Sequence, residues 1–261
     1  MEDSDYKVYK RNTVQQVIFQ IRFSNLFLIE NKIGDFQQKI MSKFPESKIS
    51  LRKQLLLADY NSEIKNIQVS DTDGSIIKKI WSFHSDSSNE SEYNLNILSD
   101  SMDISSKVHK SFYPYEGKEG FRDIIQFVMK AFIETIPIPK IKRMGLRYID
   151  KAPIPENPAT EFSNWYKTCL PIERFNFESI QYSEVRTQIE INECKLIFQE
   201  RISEGRDNNP EYYLNFDAFC ENIDPNDYIV SLDKLHKTDH QIWDDTFQEP
   251  VKKWMDNVNA E

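Results

Sequence analysis

Glycine is scarce in this sequence, with only six among 261 residues. Loops that wrap nucleotide phosphates need closely spaced glycines, and neither a Walker-type loop nor GxGxxG occurs. The segment from Gly117 to Gly120 reads GKEG before a predicted helix, but it lacks the spacing and the Ser or Thr after Lys that a phosphate loop requires. The sequence therefore argues against the common glycine-loop nucleotide enzymes.

Cysteine is also sparse, and its spacing is uninformative. The three cysteines are Cys169, Cys194 and Cys220, an odd number without a CxxC pair. This pattern predicts neither a disulfide framework nor a zinc knuckle, so we expect reduced and mostly buried thiols. The nucleophile motif GxSxG is missing as well.

Positive charge is in deficit, and long apolar runs are absent. Lys and Arg total 33 against 42 Asp and Glu, a net charge of -9. Bulk nucleic-acid binding depends on a surplus of Lys and Arg, so we do not expect it. No apolar run approaches the roughly 20 residues of a membrane span, and the start, MEDSDYKVYKRN, has no signal-peptide core. We expect a cytoplasmic protein with no membrane contact.

One short segment departs from this charge balance. Lys107, His109 and Lys110 are followed closely by Phe112, Tyr113 and Tyr115, a mixture that can stack bases. Acidic residues on both sides dilute the positive charge. The segment alone therefore does not establish a nucleic-acid site.

The strongest strand signal lies in the middle of the chain, from Lys140 to Pro155. In this stretch Met144, Leu146 and Tyr148 alternate with Arg143, Arg147 and Ile149. Because strand side chains alternate between faces, the first set is predicted to face the core and the second to face away.

The order of predicted elements suggests two related halves. Ile21-Arg22-Phe23 matches Leu146-Arg147-Tyr148, and each triplet is followed by a helix, antiparallel strands and a long helix. We predict an α+β fold with halves at 1–139 and 140–261, packed as one unit. Together they would form a curved sheet or partial barrel backed by helices. The other predicted strands are Val14–Ser24, Ile49–Tyr60, Ser75–Ser85, Glu92–Leu98, Met102–Ser105, Phe177–Ile191, Cys194–Ser203 and Tyr212–Phe219; the predicted helices are Ile33–Phe44, Phe121–Ile136, Phe162–Leu170 and Ser231–Phe247.

Several short motifs together resemble a sporadically distributed family of uncharacterised bacterial proteins. They are VIFQIRF (17–23), WSF (81–83), RMGLRYID (143–150), LNFDAF (214–219) and LHKTDHQIWDDTF (235–247). The resemblance implies a bacterial cytoplasmic protein, patchily inherited in the manner of defence-associated or mobile genes. It carries over no catalytic residues.

Two histidines on the last long helix have metal-ligand spacing. His236 and His240 are four residues apart, with Asp239 and Asp244 nearby. The Glu of HExxH is missing, because residue 237 is Lys, and no third ligand is evident. Two polar residues beside an apolar helix stripe explain the pattern, so we predict no metal site, no cofactor and no catalytic residues.

Three arginines are the candidate ligand-binding residues. Arg22 and Arg147 occupy matching positions in the two halves, and Arg186 lies on a later strand with alternating polarity. Guanidinium groups can bind an anion such as a phosphate, or they can pair with carboxylates of neighbouring strands. An arginine-lined cleft would suit an enzyme or sensor for a phosphate-bearing, nucleotide-like small molecule.

The preferred interpretation is a non-catalytic binding or protein-interaction module. It rests on the lack of a coherent catalytic set and on aromatic residues expected at the surface, namely Tyr113, Tyr115, Tyr212 and Tyr213. We expect a protein partner or self-association, and the resemblance links the module to bacterial defence or mobile elements. The arginine-lined enzyme or sensor is the alternative.

Overall fold

In the computed structural model, the alternating apolar stretches of the sequence form the strands of one sheet. The structure describes residues 7–54, 76–86, 92–172, 174–175, 177–205 and 209–257. The strands of this part of the chain are β1 (Val14–Arg22), β2 (Glu46–Gln54), β3 (Ile76–His84), β4 (Asn94–Ile97), β5 (Ser101–Ser106), β6 (Ile141–Ala152), β7 (Tyr182–Ile191), β8 (Cys194–Glu204) and β9 (Pro210–Ile223). The helices are α1 (Ile29–Ile40), α2 (Phe121–Thr135), α3 (Pro158–Trp165), α4 (Tyr228–Thr246) and α5 (Glu249–Asp256), with 3-10 turns at Phe177–Ser179 and Pro225–Asp227.

The nine strands form a single sheet in the order β2-β3-β4-β5-β1-β6-β9-β8-β7. Every neighbouring pair runs antiparallel. β2 and β7 are the edges, and no pairing within the described residues joins them, so the sheet is open. The predicted α+β class, with a sheet backed by helices, is confirmed, and the sheet of the described residues does not close into a barrel.

The central pair β1 and β6 sets the two faces of the sheet. Phe19 lies opposite Leu146 and Ile21 opposite Met144, and all four side chains are fully buried. The helices cover this face, which we call the helix face. Arg22 lies opposite Arg143 on the other side, which we call the polar face. The face assignment predicted for the middle strand is therefore confirmed.

One hydrophobic core joins residues from both ends of the chain. It runs from Val17 on β1 to Met255 on α5 as a continuous cluster. The predicted boundary between 1–139 and 140–261 falls between α2 and β6. The chain repeats a strand, a helix and a run of strands on each side of that point, but a duplication stays a prediction.

Three predicted helices have different bounds in the structure. The helix predicted over Ile33–Phe44 runs from Ile29 to Ile40. The helix predicted over Phe162–Leu170 ends at Trp165, and the next residues form a loop whose Cys169 amide donates to Glu200 at 2.9 Å. The last long helix begins at Tyr228, three residues before the predicted cap Ser231. Pro225 in the preceding turn fixes the backbone for this earlier start. A new helix, α5, does begin near Pro250, as predicted.

Some predicted features lie outside the described residues. These are the turn at 71–74, the later part of the strand predicted over 49–60, and most of the turn at 85–92. None of the helices in the described part of the chain combines the length and apolar character needed to cross a membrane.

The aromatic core under the first half depends on Phe36 of α1. Its ring meets Phe83 of β3 and Phe132 of α2 edge-on, with centroids 5.9 and 5.6 Å away. Phe36 is fully buried, so its loss would leave a cavity between helix and sheet. We expect Phe36→Ala to lower the free energy of unfolding by about 3–5 kcal/mol in urea denaturation.

Phe27→Ala is the matched control, because it removes the same atoms from a side chain that is 83% exposed. We expect almost no change in stability there. Equal effects of the two substitutions would contradict this account of the core.

Candidate functional site

A cavity of about 700 Å³ lies on the helix face at one end of the central strands. Residues 7–14, which lead into β1, form one wall, and the segment 108–119 between β5 and α2 forms another. Side chains of β6, β9 and α4 complete it, together with Met255 of α5. The volume falls within the roughly 300–1,000 Å³ usual for small-molecule sites.

Two buried carboxyl groups line this cavity. Asp150 follows Leu146 and Tyr148 on the helix face of β6 and is completely buried. The Thr13 hydroxyl donates to its Oδ1 at 2.6 Å. Burial raises the pKa of Asp150 to about 6, opposed in part by hydrogen bonds from Thr13 and Trp243.

Asp239 is the second carboxyl. It projects from α4 and is 2% exposed. Its Oδ1 accepts the Ala218 amide at 3.2 Å, while Oδ2 has no hydrogen-bond partner among the described residues. Burial raises its pKa well above the ordinary value, and the nearby charge of Asp217 adds to the shift. A buried oxygen without a partner is uncommon in native proteins, so it marks this position as unusual.

A histidine is held between aromatic rings on the same side of α4. His236 stacks on Phe112 with centroids 3.9 Å apart and planes 13° apart, and Tyr113 meets it edge-on. Its Nδ1 and the Tyr148 hydroxyl are hydrogen-bonded at 3.3 Å. Burial lowers the pKa of His236 well below its ordinary value, and the neighbouring His240 and His109 lower it further.

The other two histidines of the cavity are also biased toward the neutral form. His109 lies against Phe121 and Tyr148, each with ring centroids 5.7 Å away, and burial lowers its pKa to about 4. His240 lies 5.9 Å from Trp243, and its pKa is lowered chiefly by burial. Neutral imidazoles both donate and accept hydrogen bonds, which suits recognition of a polar ligand.

Aromatic rings and charged side chains surround these polar groups. Tyr9 and Trp243 face each other at 5.7 Å, and Trp243 stacks on Phe247 at 4.6 Å. Charged residues of both signs line the cavity as well, the basic ones being Lys7, Lys10, Arg11, Lys110 and Lys118 and the acidic ones Glu92, Glu116 and Glu119.

The arrangement supplies recognition groups and proton-exchanging groups. No set of three or more His, Cys, Asp or Glu side chains in the described ranges is placed to hold a metal ion. His236 and His240 have ring centroids 6.2 Å apart, and the first is enclosed by Phe112 and Tyr113. The cavity is thus equipped to hold a ligand through stacking and hydrogen bonds.

The structure places the three candidate arginines away from this cavity. All three lie on the polar face, on β1, β6 and β7. Arg22 donates to Gln20 at 2.9 Å, and Arg147 donates to Asn215 at 2.8 Å. Arg186 is exposed near the sheet edge.

The arginines are also separated from one another. Arg22 pairs with Arg143, which is four positions from Arg147, a distance of about 13 Å along the strand. Arg186 lies three strand spacings from β6, which is about 14 Å. The three arginines share a face of the sheet, but their backbone positions lie apart and do not surround one point.

The surface aromatics predicted from sequence divide into different classes. Tyr115 is 44% exposed, as expected. Tyr212 is fully buried on the helix face of β9, so its assignment as a contact residue is wrong. Tyr113 packs on His236 inside the cavity.

The three cysteines have different surroundings. Cys169 is exposed, whereas Cys194 and Cys220 lie on the neighbouring strands β8 and β9, with Sγ atoms 2.7 Å apart.

The sequence analysis named His236, Asp239 and His109 but did not bring them together in one site, and it missed Asp150, although a signal for some of these positions exists in the sequence. Asp150 continues the apolar alternation of β6, and His236 and Asp239 fall four and seven residues after Leu232 on the buried stripe of α4. A polar residue at a core position predicts either a paired structural role or a site. The involvement of residues 7–14 had no comparable signal.

No family model, curated protein or solved structure matches this chain. The resemblance based on the short motifs therefore stays a prediction, and the geometry of the cavity carries the functional argument.

The raised pKa of Asp150 generates a pH-dependent stability. A carboxyl whose folded pKa is about 6, against 3.8 normally, stabilises the fold below pH 4 and loses that contribution as pH rises through 6. Asp150→Asn stays neutral and keeps the acceptor for Thr13. We expect the difference in melting temperature between Asp150→Asn and wild type to increase in favour of the variant from pH 4 to pH 7. The increase should correspond to at most about 3 kcal/mol in the free energy of unfolding.

His109 acts in the opposite direction, because its lowered pKa costs stability as pH falls. Subtracting the wild-type curve removes this contribution, since both proteins contain His109. Asp35→Asn on the exposed surface of α1 controls for the chemical change. A difference between Asp150→Asn and wild type that stays constant from pH 4 to 7 would contradict the assignment.

Proposed function

We propose that the protein is a non-catalytic binding module whose ligand is a small molecule held in the cavity between β6, β9, α4 and the segments 7–14 and 108–119. The carrying observation is Asp239, which lines the cavity and whose buried Oδ2 has no hydrogen-bond partner among the described residues. An occupant that hydrogen-bonds to this oxygen would remove an unfavourable buried group.

The composition of the walls supports this proposal. Binding sites for small molecules combine apolar and aromatic surface with a few polar groups that fix orientation. Here Phe112, Tyr113 and Trp243 supply the aromatic surface, and Asp150 and Asp239 supply the polar groups. Groups with shifted pKa values also concentrate at functional sites more often than elsewhere.

A catalytic role has less support from the same residues. The cavity has proton-exchanging groups, but its only hydroxyl-bearing aliphatic residues in the described lining are Thr13 and Ser111. The Thr13 hydroxyl donates to Asp150, a pairing that by itself specifies no reaction. Binding without chemistry is the simpler account.

Three further predictions accompany the proposal. A protein partner or self-association, a cytoplasmic location and a link to bacterial defence or mobile elements all remain expectations from the sequence. We also infer that the halves at 1–139 and 140–261 arose by duplication. The supporting observation is that β5 returns to pair with β1, just as β9 returns to pair with β6.

The proposal is tested by narrowing the cavity. Val108 lines it and is 45% exposed, so Val108→Trp adds bulk at the wall without overfilling the core. We expect native mass spectrometry of gently purified wild type to show a retained small molecule, or a metabolite panel to raise its melting temperature. Val108→Trp should weaken that binding about tenfold or more.

Val230→Trp is the matched control, because Val230 is 59% exposed on α4 and does not line the cavity. We expect wild-type binding there. Equal binding by both tryptophan variants, or no binding by any member of the panel, would overturn the cavity as the site.

A further inference from the structure

The polar groups of the cavity define what its occupant must offer. Asp239 has one oxygen engaged with the Ala218 amide and the other without a partner in the described part of the chain, and the residue is 2% exposed. Asp150 lies in the same cavity with its Oδ1 accepting from Thr13. An occupant that met these requirements would present a hydrogen-bonding edge to a carboxyl group, not an apolar edge.

Burial restricts the charge that this edge can carry. A strongly basic alkylammonium would have to lose its hydration to reach the buried Asp239, which is expensive. A carboxylate facing it would also have to be ionised, whereas burial favours the protonated form of both Asp150 and Asp239. A weakly basic ring nitrogen avoids both costs, because one proton can be shared between the ring and the carboxyl group.

The walls restrict the shape. Flat rings approach from several elements: Tyr9 before β1, Phe112 and Tyr113 from the segment after β5, and Trp243 from α4. Planar ligands gain from offset or edge-on contact with such rings, whereas a flexible chain gains only apolar burial. An amino group beside the ring nitrogen would let one ligand edge both donate to and accept from a carboxyl group.

From these three constraints we infer that the ligand is a planar, weakly basic nitrogen heterocycle with an adjacent amino group. This is the edge that the bases of adenosine and cytidine present, and the ring would face Asp239. The inference rests on the proposed function, since it names the ligand class of the same cavity. Charged residues of both signs surround the cavity, so they do not determine whether the heterocycle carries a sugar or a phosphate. The titrated ligands compare these substituents.

The first test uses ligands and needs no mutation. Adenine, adenosine, adenosine 5′-monophosphate and cytidine are titrated into the wild-type protein by calorimetry, alongside 1-deazaadenosine, which replaces the ring nitrogen with CH. We expect at least one amino heterocycle to bind and the deaza analogue to bind about tenfold more weakly or worse. Equal affinity for adenosine and its deaza analogue, where adenosine binds, would overturn the inference.

The second test removes the carboxyl group. Asp239→Leu has nearly the same volume and no polar atom, whereas Asp239→Asn keeps one donor and one acceptor. We expect binding of the amino heterocycle to be about tenfold weaker or worse in Asp239→Leu and largely retained in Asp239→Asn. Asp103→Leu is the matched control, because Asp103 is also a partly buried carboxyl with a raised pKa but lies on the polar face of β5. Unchanged affinity in Asp239→Leu would overturn the inference.

The outcomes also separate this inference from the proposed function. Octanoate, an aliphatic carboxylate, is included in the panel with Val108→Trp. Binding of octanoate but of no amino heterocycle, if sensitive to Val108→Trp, would overturn the ligand class and leave the cavity as a binding site. Binding of nothing would overturn both.

Discussion

The antiparallel pairing of β1 with β6 is the contact on which the rest of the structure depends. In the described residues it is the only strand pairing that joins β2–β5 to β7–β9, and it makes one sheet from strands on both sides. Its register also places the residues that precede β1 beside the end of β6. Thr13 reaches Asp150 for this reason, so the same pairing that builds the core positions one polar wall of the cavity.

The end of the sheet near Asp150 carries polar side chains at buried positions. Tyr148, Asp150, His236 and Asp239 occupy positions that elsewhere on β6 and α4 hold apolar side chains. A buried polar atom without a partner, such as Oδ2 of Asp239, costs about 1–3 kcal/mol. The rest of the core must offset that cost, and the aromatic cluster around Phe36 lies in the other half of the chain. Sites that break the rules of core packing are where function is expected.

Most of the fold could be predicted from the sequence because its strands alternate cleanly. Met144, Leu146 and Tyr148 were assigned to the correct face, since period-two patterning is a local property of the chain. Helix bounds were less accurate. The loop after Trp165 is held by Glu200, thirty or more residues away, and local spacing contains no record of that contact.

The candidate site could be predicted only in part, for a related reason. His236 and Asp239 were noticed through their spacing, but the sequence could not show that His109 and Asp150 lie near them, because these residues come from three distant segments. The matching positions of Arg22 and Arg147 drew attention to the polar face. Their separation follows from the register of β1 on β6, which only the folded sheet determines.

The two ends of the described chain meet beside the cavity. Lys7 pairs with Asp256, the Arg11 amide donates to the Met255 carbonyl at 2.9 Å, and the Asn12 side chain donates to the His109 carbonyl. An affinity tag attached close to residue 7 or residue 256 would thus sit beside the cavity and not at a neutral surface. Placing a tag is, for this protein, a change beside the cavity, and preparations tagged at opposite ends are different reagents.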